Sequence, residues 1–108
     1  MSNLTEYINK ALENNPIEAE MLKKFYEASE AAGDPVVSVY DGGEDVKVST
    51  LREVYDNVFN LDESYIYTAS GSYAYIVMGN EPYELFSDYT VDLEGILSPI
   101  SEWAEEQE

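Results

Sequence analysis

The chain has no cysteine and no histidine among its 108 residues. Without cysteine there can be no disulfide scaffold, thiolate nucleophile, or thiolate-bound zinc or iron–sulfur site. Without histidine it lacks the usual general base near neutral pH and the commonest transition-metal ligand. A nucleophile–base pair would have to come from Ser and Lys or from carboxylates, so the expectation is a protein that is not an enzyme and uses no cofactor. Long apolar runs are missing too, since none approaches the roughly 18 residues of a membrane span. The first residues do not follow the basic-then-apolar layout of a signal peptide. A soluble, cytoplasmic protein is expected, in the host cytoplasm if it is phage-encoded. No Walker-type or G-x-G-x-x-G loop is present, and Gly42-Gly43 reads as a turn.

Positive charge is the scarcest commodity. Five basic residues face 23 acidic ones, a formal net charge of −18. A small domain ordinarily carries a net charge of roughly 2 to 8 in magnitude, and a larger one opposes compactness by self-repulsion. The imbalance is also uneven along the chain. Residues 1–52 hold all five cations (Lys10, Lys23, Lys24, Lys47 and Arg52) and 10 acids, whereas residues 53–108 hold 13 acids and no cation. Carboxylates of the second half must therefore pair with the first half, with a partner, or with solvent ions. Direct binding of nucleic acid is disfavoured for the same reason.

What is present suffices to fold. Hydrophobic residues make up 44% of the chain, enough for one core and a single domain over 1–108. Ser2 is a candidate N-cap for a helix placing Leu4, Ile8, Ala11 and Leu12 on one face. Asn14-Asn15 end it. Pro16 opens a second helix, over about 16–32, carrying Ile17, Met21, Phe25 and Ala28, with Leu22, Ala32 and Tyr26 widening the stripe. Gly33 and Asp34-Pro35 stop it. Val36–Tyr40, the turn Asp41-Gly42-Gly43 and Asp45–Val48 read as a hairpin. Thr50-x-x-Glu53 matches a capping box for a short helix through Phe59, with Leu51, Val54, Tyr55 and Val58 inward.

A second hairpin flanks Ala69-Ser70-Gly71. A two-residue turn pairs Tyr67 with Ala74 and splits the tyrosines between faces. A three-residue loop with Gly71 left-handed pairs Tyr67 with Tyr73 and Tyr65 with Tyr75, collecting Ile66, Ala74, Ile76 and Met78 on the other face. The latter is preferred because each face is then chemically uniform. Gly79–Pro82 turns into a further strand over about 83–86. The last segment is either one helix from about Val91 to Gln107 with a kink at Pro99, or a separate helix capped by Ser98 with Pro99 at its first position. In both, Ile96, Leu97, Ile100, Trp103 and Ala104 face inward. The fold class is α+β, a small antiparallel sheet of about four to five strands packed with three to four helices.

Two constellations are candidates for binding. The first is the distributed carboxylates: Asp62, Glu63, Glu81, Glu84, Asp88, Asp92, Glu94, Glu102, Glu105 and Glu106. Carboxylates at neighbouring helix positions lie about 5–6 Å apart, a spacing that offers a phosphate-binding cleft a comparable field; the plain alternative is a solvated surface. The second is Tyr65, Tyr67, Tyr73 and Tyr75, from a total of ten tyrosines. Tyrosine is a favoured interface aromatic, so an uncovered ladder is a docking surface; under a helix it is core. Neither Asp41–Asp45 nor Asp88–Glu94 has EF-hand spacing, and no metal site is expected.

Taken together, the size, the charge and the spread of Asp and Glu over helices and a small sheet resemble the DNA-mimic proteins of phages and mobile elements. These include anti-restriction and anti-CRISPR proteins and inhibitors of uracil-DNA glycosylase. The resemblance is one of composition over the whole chain, and no site residue is carried over by it. It implies stoichiometric inhibition of a basic nucleic-acid-binding protein or complex. Other readings are an immunity or antitoxin protein neutralising a basic toxin or nuclease, and an acidic housekeeping protein.

Overall fold

The computed structural model describes residues 3–107, with the backbone alone for Asn3 and Leu4. The Ser2 cap and the inward Leu4 side chain lie outside the described residues. Helix α1 (Asn3–Asn14) turns Ile8 fully into the core. Helix α2 (Pro16–Ala31) begins with Pro16, whose missing N–H costs nothing in the first turn, and ends where Gly33 adopts φ +78°. Its buried stripe is Glu18, Met21, Leu22, Phe25 and Ser29. Ala32 does not join it: the helix has ended, and Ala32 is exposed.

Strand β1 (Val36–Tyr40) pairs antiparallel with β2 (Asp45–Lys47) across a turn in which the Asp41 carboxylate accepts the N–H groups of Gly43 and Glu44. Helix α3 (Leu51–Val58) opens with the capping box. The Thr50 hydroxyl accepts the Glu53 N–H at 3.1 Å, and the Glu53 carboxylate reaches back to the Thr50 and Ser49 N–H groups. This cap aims Val54 and Val58 into the core, while Leu51 and Tyr55 are half-buried.

Strands β3 (Glu63–Thr68) and β4 (Tyr73–Val77) form the second hairpin in the register with Tyr67 opposite Tyr73 and Tyr65 opposite Tyr75. Gly71, at φ +94°, takes the left-handed position of the three-residue loop, closed by Thr68 N–H to Ser72 O at 2.9 Å. The segment after β4 differs from the sequence reading. Pro82–Glu84 winds a 3₁₀ turn, and the next strand, β5, runs from Phe86 to Tyr89. Proline presets a helical φ, and the turn drops Leu85 into the core at 1% exposure. Glu81 and Glu84 consequently sit on this connection and not on a strand. A second 3₁₀ turn, Val91–Leu93, leads into helix α4 (Glu94–Glu106), which runs continuously through Pro99.

Among the described residues there are thus four α-helices and a five-stranded antiparallel sheet, an α+β fold, with strand order β2-β1-β3-β4-β5. The single core joins Met21, Leu22 and Phe25 of α2, Val54 and Val58 of α3, and Leu97, Ile100 and Ala104 of α4 to Val39, Ile66, Ala74, Ile76 and Phe86 of the sheet. Phe25 meets Phe86 edge-on at 5.6 Å. Because strand side chains alternate between faces, those sheet residues all point one way, and the helices cover that face alone. No described helix is long and apolar enough to cross a membrane.

Candidate protein-binding face

Among the described residues, no helix or strand covers the opposite face of the sheet. The alternation that buries Ile66, Ala74 and Ile76 points Glu63, Tyr65 and Tyr67 of β3, and Tyr73, Tyr75 and Val77 of β4, to the other side. Pairing with β1 adds Ser38 opposite Tyr67 and Tyr40 opposite Tyr65. Strand β2 adds Asp45 beside Tyr40 and Lys47 beside Ser38, and β5 adds Asp88 beside Tyr75. None of Tyr40, Tyr65, Tyr67, Tyr73 and Tyr75 packs against the hydrophobic core, yet all five are half-buried. The rings shield one another.

Tyr65 is the hub. Its ring stacks on Tyr75 at 4.8 Å and on Tyr67 at 6.4 Å, meets Tyr73 edge-on at 5.6 Å, and lies 6.3 Å from Tyr40. These separations lie within the range of favourable aromatic pairs, so the rings support one another in place. The Tyr75 hydroxyl donates to Oε1 of Glu63. That hydrogen bond, with desolvation and the carboxylate's charge, pushes the phenol up to about 12. It also ties one carboxylate to the edge of the aromatic surface.

Apart from the buried Glu18 and the half-buried Glu20, Asp34 and Asp56, the other described carboxylates are exposed, and few have an ion-pair partner. Among the described residues there are two ion pairs, Lys24–Glu20 at 3.9 Å and Arg52–Asp56 at 2.9 Å. Arg52 also donates to Asn9 and Thr5, and Lys24 sits 4.7 Å over the Trp103 ring. In the cation-free half, Asp56 is thus the one described acid with an ion-pair partner. No three described carboxylates converge where they could hold a metal ion.

The sheet divides the residues predicted from sequence. Glu63, Tyr65, Tyr67, Tyr73, Tyr75 and Asp88 share the open face. Glu102, Glu105 and Glu106 are exposed on α4, in the helical layer on the far side. Glu94 begins α4, Glu81 and Glu84 flank the 3₁₀ turn, and Asp62 borders a groove of about 270 Å³ between Tyr7, Ala11, Phe59 and Met78. Asp92 has a structural job. It accepts the Ser72 hydroxyl, and this bond, then one from Thr90, hold its carboxyl below the usual range. Beside it, Asp34 accepts Ser70 N–H at 2.7 Å and the Ser70 and Thr68 hydroxyls at 2.8 and 2.9 Å. Desolvation pushes the Asp34 carboxyl up, and the Ser70 and Thr68 hydrogen bonds outweigh it and hold it low. The two aspartates fasten the hairpin loop to the rest of the domain.

Ser38, Tyr40, Asp45 and Lys47 were not anticipated on this face. Their signal was the alternation of Val39 with Ser38 and Tyr40. Only the non-local pairing of β1 with β3 shows which side it joins. Compared with known proteins, the chain matches no family model, no curated protein and no solved structure.

Proposed function

We propose that this protein is an acidic nucleic-acid mimic that occupies the cationic DNA- or RNA-binding site of a partner protein and inhibits it stoichiometrically. The observation that carries this reading is the standing of the second half's carboxylates: exposed, held on a well-packed domain, and almost without internal cations. Duplex DNA bears one charge per roughly 1.7 Å of axis, and its binders meet that field with Lys and Arg. A domain of net charge −18 enters the same clefts by electrostatic steering, at rates up to about 10⁸–10⁹ M⁻¹s⁻¹. Pairing of carboxylates with Arg and Lys then displaces counterions, and affinity falls with added salt. Carboxylates on both sides of the sheet suit a partner that encloses the domain, as a nucleic-acid channel does.

The test is capture of partners from a bacterial lysate by the tagged chain, with mass spectrometry of the bound fraction at low and high salt. Nucleic-acid-binding proteins that elute as salt rises are the expected result. Recovery of none would defeat the reading.

A further inference from the structure

The open face differs chemically from the rest of the described acidic surface, because it combines five adjacent aromatic rings with carboxylates. We propose that it docks an arginine-bearing protein segment, with guanidinium groups lying on the tyrosine rings and forked to the carboxylates beside them. The inference rests on the cationic partner proposed above and names which cation the face selects. Tyr75 faces Asp88 on β5, while Glu63, diagonal to it on β3 and opposite Val77, accepts its hydroxyl. Directly opposite residues have Cβ atoms about 4.5–5.5 Å apart and diagonal ones about 7–8 Å, which long side chains still span. A planar cation over the ring therefore has a carboxylate within reach on two sides.

Charge complementarity sets the sign of the occupant. The outward strand positions carry Asp45, Glu63 and Asp88 against a single cation, Lys47. A phosphate-bearing strand would find aromatic platforms here but meet a repulsive field. Arginine is favoured over lysine for physical reasons. Its guanidinium is planar, weakly hydrated and bidentate, so it can stack on a ring and fork to a carboxylate at once. The lysine ammonium is compact and strongly hydrated, and gains less from a half-exposed ring.

The test uses the intact chain and two probes of equal charge, a hexa-arginine and a hexa-lysine peptide, at low ionic strength. Calorimetry gives the affinities, and the tyrosine ring NMR signals report the location. The expected result is hexa-arginine binding about fivefold or more tightly than hexa-lysine, with its largest shifts at Tyr65, Tyr73 and Tyr75. Tyr75→Ser should abolish the arginine advantage. Glu102→Gln/Glu105→Gln/Glu106→Gln should weaken both peptides alike. Equal affinities, or shifts confined to α4, overturn the arginine face and leave the cationic-partner reading standing. If neither peptide binds, both fall. A single-stranded oligonucleotide that binds and moves the ring signals would overturn both as well. The wild-type shift map decides the matter even if a variant fails to fold.

Discussion

Replacing Tyr65 by Ala tests whether the ladder is a packed unit or merely a row of exposed rings. The substitution removes contacts to Tyr40, Tyr67, Tyr73 and Tyr75. Aromatic pairs contribute about 0.5–1.5 kcal/mol beyond burial. On a half-exposed face the lower end applies, so the four contacts together amount to about 2 kcal/mol. Loss of an aromatic strand former adds up to ~1 kcal/mol. A total of about 2–3 kcal/mol is a large share of the roughly 5–15 kcal/mol typical of a small domain. It should lower Tm by roughly 8–12 °C at this chain length. Urea denaturation followed by far-UV circular dichroism measures it. Tyr67→Ala, losing contacts to Tyr65 and Tyr73 alone, should cost about half as much, and Tyr65→Phe should lie within about 0.5 kcal/mol of the parent. A Tyr65/Tyr73 double-mutant cycle should return a coupling of about 0.5 kcal/mol or more. If Tyr65→Ala costs no more than Tyr67→Ala, the rings do not act as a unit and the preorganised face is refuted.

Three further outcomes are expected. The Tyr75 phenol, pushed up to about 12 by Glu63, should titrate in its ring NMR signal well above the ordinary value of about 10, and Glu63→Gln should bring it down. Because the folded pKa is the higher one, the stabilising contribution is complete below about pH 10 and lost as pH rises through about 12; a Tyr75 midpoint near 10 would contradict the hydrogen bond. Thr50→Ala removes the N-cap oxygen from the Glu53 N–H and should cost about 1 kcal/mol in the same urea assay; unchanged stability would show that α3 does not depend on this cap. Raising salt should raise Tm, since screening relieves the self-repulsion of the net charge of −18; a flat Tm between low and high salt would show that the carboxylates are too dispersed to repel.

Local patterns were the ones legible in the sequence. The tyrosine register follows from period-two alternation plus a loop glycine, both contained within Tyr65–Met78, and the capping box at Thr50 is likewise local. The helix starts and stops at Pro16 and Gly33 also rest on backbone constraints of single residues. Strand β5 was misplaced because Tyr83 to Phe86 has the composition of a strand, while Pro82 and the burial of Leu85 make its first part a 3₁₀ turn. Whether the tyrosine face is open depends on which side of the sheet receives the helices, a tertiary choice that no short pattern encodes. The same choice separates Glu102, Glu105 and Glu106 from Glu63 and Asp88, and brings Tyr40 and Asp45 beside Tyr65. Charge density could be read from the chain, but its division between two surfaces could not.

The central claim is that the chain competes with nucleic acid for one site. Fluorescence anisotropy of a labelled oligonucleotide bound to a captured partner, titrated with this protein, tests it most directly. Full displacement at one equivalent per site, weakened by added salt, is the predicted result. A rise in anisotropy, reporting a ternary complex with the oligonucleotide still bound, would contradict it.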